Sequence, residues 1–171
     1  KILWLNYPNN PTGAVADLEF FERAIEWASE HQVVIAHDLA YADVTFDGYV
    51  APSIMEVQGA RDVAIEFNSL SKTFNMTGWR VGMAVGNSKV IDALTRIKTN
   101  LDSGIPQAIQ EMAITALDDP RDSIEAHNDI YTSRRDRTVA VLRELGLTLD
   151  IPAASLYVWA KLPDGESSSA D

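Results

Sequence analysis

The sequence has no cysteine among its 171 residues. This absence excludes a disulfide framework, a thiolate nucleophile and any cysteine-ligated zinc or iron–sulfur site. Basic residues are also few: 14 Lys and Arg stand against 25 Asp and Glu, which gives a formal net charge of -11. A surface without a basic field has little attraction for phosphate backbones or anionic lipid. We therefore expect neither nucleic acid nor a membrane surface as a partner.

Long apolar runs are missing as well. The chain has no stretch of about eighteen apolar residues, the length that a membrane-spanning helix requires, and its first residues lack a signal-peptide pattern. The three histidines, His31, His37 and His127, do not have the spacing of metal ligands, so we expect no metal. Hydrophobic residues make up 46% of the chain, enough to build a core at this length. These features predict a soluble, cytoplasmic protein.

Both ends of the sequence predict a piece of a longer protein. The chain begins at Lys1 and at once enters the apolar run Ile2–Leu5, which is typical of a strand whose neighbours lie upstream. Residues 165–171 are small and polar, the composition of a mobile loop, and no closing element follows them. We expect the natural protein to extend beyond both ends.

Strand-like apolar runs alternate with helical stretches through the first hundred residues. This alternation is the pattern of an α/β fold with a mostly parallel, buried sheet. Residues 17–31 place four apolar side chains at helical spacing after Asp17, a suitable N-cap. Strands are predicted over residues 2–6, 32–36, 62–67 and 81–85.

The second half of the sequence is mainly helical. Helices are predicted over residues 88–101, 105–117 and 119–145, the last with Pro120 in its first turn and Gly146 as its stop. Two strands are predicted over residues 147–151 and 156–162. We place a domain boundary inside the last helix, near residue 125.

Four polar clusters fall at the ends of predicted strands, where ligands bind in open α/β sheets. They are residues 9–13, 37–41, 69–72 and 78–82. Singly, each has a plain structural interpretation: a Pro–Gly turn, an aspartate cap, a surface lysine or half of an ion pair. Together they supply an amide, a carboxylate, a phenol, hydroxyls, an amine and a guanidinium. Pyridoxal phosphate requires such a set: an amine for a Schiff base, a carboxylate for the pyridine nitrogen and a cradle for phosphate.

The run SLSKTFNMTGWRVG at residues 69–82 resembles the lysine signature of the class I/II aminotransferases, which have fold type I. NPTG at residues 10–13 and DLAY at residues 38–41 stand in the order and spacing of the same family. The resemblance covers nearly the whole chain. It implies part of a three-layer large domain in residues 1–125, with helices on both faces of a mostly parallel sheet. Residues 126–171 would then hold the interdomain helix and the beginning of an α+β small domain.

The same resemblance implies pyridoxal 5′-phosphate as cofactor and catalytic roles for Lys72, Asp38 and Tyr41. Lys72 would form a Schiff base with the cofactor and then move the proton at the substrate α-carbon. Asp38 would keep the pyridine nitrogen protonated. Tyr41 would hydrogen-bond the phenolate oxygen of the ring.

Further binding residues are implied by the resemblance. Asn10 would share the phenolate oxygen, and Ser69 and Arg80 would hold the phosphate, the latter through its planar fork of donors. The Asn10–Pro11 peptide bond is expected to be cis. His37 has two open interpretations, as a support of the cofactor site or as an ordinary histidine at a strand end.

Within the family, residues 46–53, 98–104 and 157–159 resemble the LL-diaminopimelate aminotransferases and relatives that act on alanine or aspartate. Ala-Ser-Leu at residues 154–156 departs from the family's usual Gly or Thr followed by an aromatic. The expected reaction transfers an amino group between an amino acid and a 2-oxo acid.

Other functions on the same scaffold remain open at this point. They are a C–S lyase, a decarboxylase, a non-catalytic cofactor sensor and a degenerate scaffold for dimerisation. A homodimer is expected for the full protein. The family's downstream arginine, which binds the substrate carboxylate, has no counterpart in these residues, so we expect the isolated chain to be inactive.

Overall fold

The computed structural model describes residues 1–118 and 122–166. The sheet region contains β1 (Ile2–Asn6), α1 (Leu18–His31), β2 (Val34–Asp38), α2 (Ala60–Val63), β3 (Ala64–Ser69), α3 (Leu70–Thr73) and β4 (Gly82–Gly86). It is followed by α4 (Ser88–Leu101), α5 (Gln107–Leu117), α6 (Asp122–Glu144), β5 (Thr148–Leu149) and β6 (Ala160–Lys161). The predicted helix start at residues 119–120 and the end of the polar tail, residues 167–171, lie outside the described residues.

The four longer strands form one mixed sheet in the order β1-β2-β3-β4. Strands β1, β2 and β3 run parallel, whereas β4 pairs antiparallel with β3. In this register Asn6 lies opposite Asp38, and Asp38 lies opposite Phe67. The fold is therefore α/β with a mostly parallel sheet, as predicted. The carboxyl ends of the three parallel strands meet at one edge.

Helix α1 covers one face of the sheet. Phe21, Ile25 and Ala28 of the helix pack against Ile35 of β2 and Ala64 of β3, and all five side chains are buried. Because side chains alternate along a strand, the neighbours of Ile35 and Ala64 in sequence point to the opposite face. The helical spacing of apolar residues in the sequence predicted this core.

Hydrogen bonds fix both ends of α1. The Asp17 carboxylate accepts a hydrogen bond from the Phe20 N–H at 2.8 Å, which confirms the predicted N-cap. At the other end Gln32 adopts the left-handed conformation, with φ 54°, and the Val33 N–H donates back to the helix. Because residues 32 and 33 form the end of α1, β2 begins at Val34, two residues later than predicted.

Two other predicted boundaries are wrong for local reasons. Strand β3 begins at Ala64 because residues 60–63 form the helical turn α2. Helix α5 begins after Pro106, not at Ile105, because a residue that precedes proline is disfavoured in the helical conformation. No described helix is long and apolar enough to span a membrane.

The two predicted C-terminal strands are much shorter than expected. Strands β5 and β6 have two residues each. Residues 153–155, in the predicted connection between the two strands, bond to residues 44–46. The Phe46 N–H donates to the Ala153 carbonyl at 2.8 Å, and the Ser155 N–H donates to the Val44 carbonyl at 2.9 Å. The chain after β5 therefore returns to the loop that follows β2.

Helix α6 is anchored to the same loop by Arg135, which is only 8% exposed. Its guanidinium donates to both carboxylate oxygens of Asp47 and to the Pro152 carbonyl at 3.2 Å. The group also lies 4.9 Å from the centroid of the Phe46 ring. The hydrogen bonds from Arg135 lower the pKa of Asp47. One side chain thus joins α6, the loop after β2 and the segment after β5.

Glu66 is a buried carboxylate in β3, with 2% exposure. It accepts hydrogen bonds from the Ser53 hydroxyl at 2.9 Å, the Ile54 N–H at 2.9 Å and the Asn68 amide at 3.1 Å, and it lies 3.3 Å from Nδ1 of His37. Burial raises the pKa of this carboxyl, but the hydrogen bonds from His37, Ser53 and Asn68 outweigh burial, and the resulting pKa is lowered. Ionised Glu66 therefore stabilises the fold.

We expect Glu66→Gln to reduce the free energy of unfolding by about 1–3 kcal/mol near neutral pH, because the amide leaves a buried donor without an acceptor. The stabilisation by ionised Glu66 is complete above the ordinary glutamate pKa of about 4.3 and is lost as the pH falls towards the lowered pKa of the folded state. The difference between the two proteins in urea unfolding should therefore shrink in acid. Glu30→Gln, which changes an exposed carboxylate, is the control; equal effects of the two substitutions would contradict the assignment.

Candidate active site

The ends of β1 and β2 and the loops that follow these two strands line a cavity at the carboxyl edge of the sheet. Its volume is about 540 Å³. Its lining residues are Trp4, Leu5, Asn6, Tyr7, Asn9, Asn10, Asp38, Ala40 and Tyr41. Three of the six predicted site residues, Asn10, Asp38 and Tyr41, therefore share one cavity. We refer to it as the Asp38 cavity.

Asp38 is held in place by the turn that it begins. Its Oδ1 accepts a hydrogen bond from the Ala40 N–H at 3.1 Å, and its backbone carbonyl accepts one from the Asn6 side-chain amide at 2.9 Å. The interpretation of Asp38 as a cap is thus correct. A carboxylate has about four acceptor sites, so this single bond leaves most of its capacity for a donor in the cavity.

Asn6, a residue that the sequence analysis missed, organises the turn that carries Asn10. Its Oδ1 accepts hydrogen bonds from the Asn10 N–H at 2.9 Å and from the Asn9 side-chain amide at 3.2 Å. Because the amide of the same side chain binds the Asp38 carbonyl, Asn6 links the Asn10 turn to the end of β2. The available signal was an asparagine at the end of the strand that pairs with Asp38.

The turn after Asn6 contains two cis peptide bonds, Tyr7–Pro8 and Asn10–Pro11, of which the second was predicted. The turn ends at Gly13, whose φ of 71° is in the left-handed region. A Cβ atom added at Gly13 would lie 3.1 Å from Cβ of Pro152. The Asn10 turn is therefore in close contact with the segment that follows β5.

Tyr41 is buried beside the cavity, with 4% exposure. Its hydroxyl donates to the Tyr157 hydroxyl at 3.2 Å, and the two rings meet edge to face with centroids 6.0 Å apart. Burial, the hydrogen bond to Tyr157 and the nearby charge of Asp38 together raise the pKa of Tyr41 well above its ordinary value. Tyr41 is therefore a neutral phenol at physiological pH.

Lys72 lies on the short helix α3, between the buried side chains of Ser71 and Thr73. Its Nζ lies 6.0 Å from the centroid of the Tyr41 ring. Thr73 donates to the carboxylate of Asp43 at 3.0 Å, which ties α3 to the loop that carries Tyr41. The predicted lysine and the predicted phenol are therefore neighbours.

Ser69 and Arg80 are not among the residues that line the Asp38 cavity. The Ser69 hydroxyl caps α3 by accepting from the Ser71 N–H at 3.2 Å and donates to the Val81 carbonyl at 3.5 Å. The adjacent Arg80 is exposed, and its Nη1 donates to the Thr77 carbonyl at 2.9 Å. The Ser69 hydroxyl at the start of α3 therefore contacts the residue that follows Arg80 in the sequence.

His37 points away from Asp38, to the face that α1 covers. It is fully buried, its ring lies 4.8 Å from that of Phe21, and its Nε2 lies 3.1 Å from the Tyr7 carbonyl. Of the two open interpretations of this residue, the geometry favours a buried histidine at a strand end over contact with the cavity. Through its contact with the Tyr7 carbonyl, His37 supports a residue of the cavity wall from the α1 face of the sheet.

Comparison with known proteins defines the class to which this fold and site belong. Residues 1–169 match the sequence profile of the family described as aminotransferase class I and II. The chain belongs to this family, which confirms the resemblance found at residues 69–82.

Several named proteins are similar to the chain over nearly its whole length. The chain is 57% identical over 170 residues to an LL-diaminopimelate aminotransferase of Dehalococcoides mccartyi and 54% identical over 169 residues to one of Halothermothrix orenii. These alignments cover 99% of the chain but 44% and 43% of the relatives. Substrate-bound BacF from Bacillus subtilis matches 99% of the chain and 43% of its own, with a TM-score of 0.93 and 40% identity. The chain spans less than half the length of these relatives.

We expect Gly13→Ala to destabilise the protein more than Gly48→Ala. Both glycines have a positive φ, 71° and 78°, so both substitutions impose a similar backbone strain. Only Gly13 has a close neighbour, Pro152, whereas no atom lies within 4 Å of a Cβ at Gly48. Thermal unfolding of the two variants measures the difference, and equal melting temperatures would show that the turn does not depend on the Pro152 contact.

Proposed function

We propose that the chain is the part of a pyridoxal-phosphate-dependent aminotransferase that supplies most of its cofactor-binding residues. One observation carries the proposal: Asn10, Asp38 and Tyr41 line a single cavity, and the Lys72 amine lies 6.0 Å from the Tyr41 ring. An amide, a carboxylate, a phenol and an amine fit the polar groups of this cofactor. Membership of the class I/II family supports the same conclusion.

Each of these side chains has a definite task in the proposal. When bound, pyridoxal phosphate supplies an aldehyde that captures amines and a protonated pyridine ring that draws electrons from the substrate α-carbon. Asp38 stabilises the proton on the ring nitrogen, because a carboxylate within hydrogen-bond reach favours the cation. Lys72 would hold the aldehyde through its Nζ, and as a free amine the same Nζ would carry the proton between the substrate α-carbon and the cofactor carbon that bears the aldehyde. Tyr41 and Asn10 donate to the ring oxygen.

Ser69 and Arg80 are the proposed phosphate ligands. Ser69 caps the start of α3, and its hydroxyl contacts the carbonyl of Val81, the residue that follows Arg80. A guanidinium carries five N–H donors, so its bond to the Thr77 carbonyl leaves most of the planar fork for a phosphate. Charge-assisted bonds of this kind are strong and directional.

The proposed reaction transfers an amino group between an amino acid and a 2-oxo acid. Identities of 57% and 50% to proteins named LL-diaminopimelate aminotransferase support LL-diaminopimelate as the amino donor. Alanine and aspartate are the alternative donors to test beside it.

We also propose a domain boundary near residue 125 and a homodimer for the full protein. Helix α6 (Asp122–Glu144) stands in the sequence between the sheet region and the small pair of β5 and β6, which supports residues 1–125 and 126–171 as parts of two domains. Large apolar side chains of α4 and α5, such as Ile97, Leu101 and Ile114, are more than half exposed in the single chain. Apolar surface of this kind is typical of an interface.

Borohydride reduction of the complete protein with pyridoxal phosphate, followed by peptide mapping, tests the position of the cofactor. We expect the cofactor to be fixed to Lys72, because its Nζ lies 6.0 Å from the ring of Tyr41, which lines the Asp38 cavity. Lys72→Arg should abolish trapping, whereas Lys89→Arg, at an exposed lysine in α4, should leave it unchanged. Trapping at another lysine of the unmodified protein would contradict the site.

Asp38→Asn should lower the rate of amino transfer by about 100-fold or more, because a neutral amide no longer favours the protonated ring nitrogen. Asp38→Glu should retain part of the activity, and Asp62→Asn, at an exposed aspartate, should retain all of it. The measurement is formation of the new amino acid from a 2-oxo acid, with LL-diaminopimelate, alanine and aspartate compared as donors. Release of pyruvate and ammonia from an amino acid that carries a sulfur substituent on its β-carbon, without amino transfer, would favour a C–S lyase instead.

A further inference from the structure

Tyr157 contacts the proposed site from the segment that follows β5. Its hydroxyl accepts a hydrogen bond from the Tyr41 hydroxyl at 3.2 Å, and the two rings pack edge to face at 74° with centroids 6.0 Å apart. Such ring pairs contribute more than the area that they bury. The two phenols are 116 residues apart in the sequence.

The backbone around Tyr157 is fixed to the loop that carries Tyr41. Residues 153–155 make two backbone hydrogen bonds to residues 44–46, at 2.8 and 2.9 Å. One residue earlier, the Pro152 carbonyl accepts from the buried guanidinium of Arg135. The position of the Tyr157 hydroxyl relative to Tyr41 is therefore determined by bonds on the preceding residues.

The same segment also contacts the turn that carries Asn10. A Cβ at Gly13 would lie 3.5 Å from the Tyr157 carbonyl oxygen, in addition to its close approach to Pro152. Tyr157 thus lies where the segment meets both the Asn10 turn and the Tyr41 loop, the two elements proposed to bind the ring oxygen of the cofactor.

The chemistry of a phenol makes this contact directional. Each tyrosine hydroxyl has one donor hydrogen and can also accept. When Tyr41 donates into the Asp38 cavity, its O–H is no longer available to Tyr157, and its oxygen can instead accept from the Tyr157 hydroxyl after rotation of the O–H bond. A hydroxyl that accepts one hydrogen bond is a stronger donor of the next, because the bonds polarise one another. Tyr41 is 4% exposed, which limits its access to water as a substitute partner.

We propose that Tyr157 is a positioning residue: its hydroxyl orients the Tyr41 hydroxyl and strengthens the hydrogen bond that Tyr41 donates to the ring oxygen of the cofactor. The inference rests on the proposed function and extends it to a residue that follows α6 in the sequence. Tyr157 itself acts only through Tyr41. Phenylalanine at position 157 keeps the ring contact and removes the hydroxyl, so the two contributions can be separated.

Equilibrium binding to the complete protein, prepared without cofactor, provides the test. The probes are pyridoxamine phosphate and its analogue without the ring hydroxyl, neither of which reacts with Lys72. We expect Tyr157→Phe to weaken binding of pyridoxamine phosphate by about three- to tenfold, the range for one hydrogen bond, and to leave binding of the deoxy analogue unchanged. In a Tyr41→Phe background the same substitution should have no effect on either probe.

Tyr49→Phe is the matched control, because it removes a phenol that donates to the Ala16 carbonyl away from the Asp38 cavity. It should leave both affinities unchanged. Equal loss of both probes in Tyr157→Phe, or no loss of either, would overturn the inference while the proposed function stands. An unmodified protein that binds neither probe would overturn the proposed function and this inference with it.

Discussion

The parallel register of β1, β2 and β3 is the constraint on which the site depends. Asn6 lies opposite Asp38, and Asp38 lies opposite Phe67, so the three strands end at one edge and their following loops converge there. A shift of one residue in β2 would exchange the two faces of the strand. It would bury the Asp38 carboxylate under α1 and turn the His37 ring towards the cavity. The hydrophobic alternation that sets the core thus also determines which side chain reaches the site.

The two faces of the strands have different tasks, but they are connected. On the α1 face, His37 and the Glu66 carboxylate form a buried polar network, and His37 extends it to the Tyr7 carbonyl. Tyr7 lines the Asp38 cavity on the other side of the same strand ends. A buried network with satisfied partners is rigid, because any movement breaks hydrogen bonds that water cannot replace. The core therefore holds the wall of the cavity as well as the sheet.

Local sequence patterns predicted much of this arrangement. The apolar strand runs and the helical spacing after Asp17 indicated the α/β fold. The polar clusters at the strand ends indicated Asp38 and Lys72 as candidate site residues. Asn6 and Tyr157 were missed because their importance comes from partners 32 and 116 residues away in the sequence. Apolar residues at 147–151 and 156–162 indicated longer strands than the two-residue β5 and β6. The connection between them pairs instead with the loop after β2, through Ala154 and Thr45. Short-range periodicity cannot report such a choice of partner.

Ser155 lies in the turn that brings the segment after β5 back to the site, and it has an unfavourable conformation. It has a φ of 76°, a conformation that costs about 1 kcal/mol or more for a residue other than glycine, and its buried hydroxyl has no hydrogen-bond partner among the described residues. Both costs fall two residues before Tyr157. They are tolerated because the bonds of residues 153–155 to residues 44–46 and of Arg135 to Pro152 fix the backbone that leads into the turn. The turn directs Tyr157 towards Tyr41, and the buried phenol pair is the result.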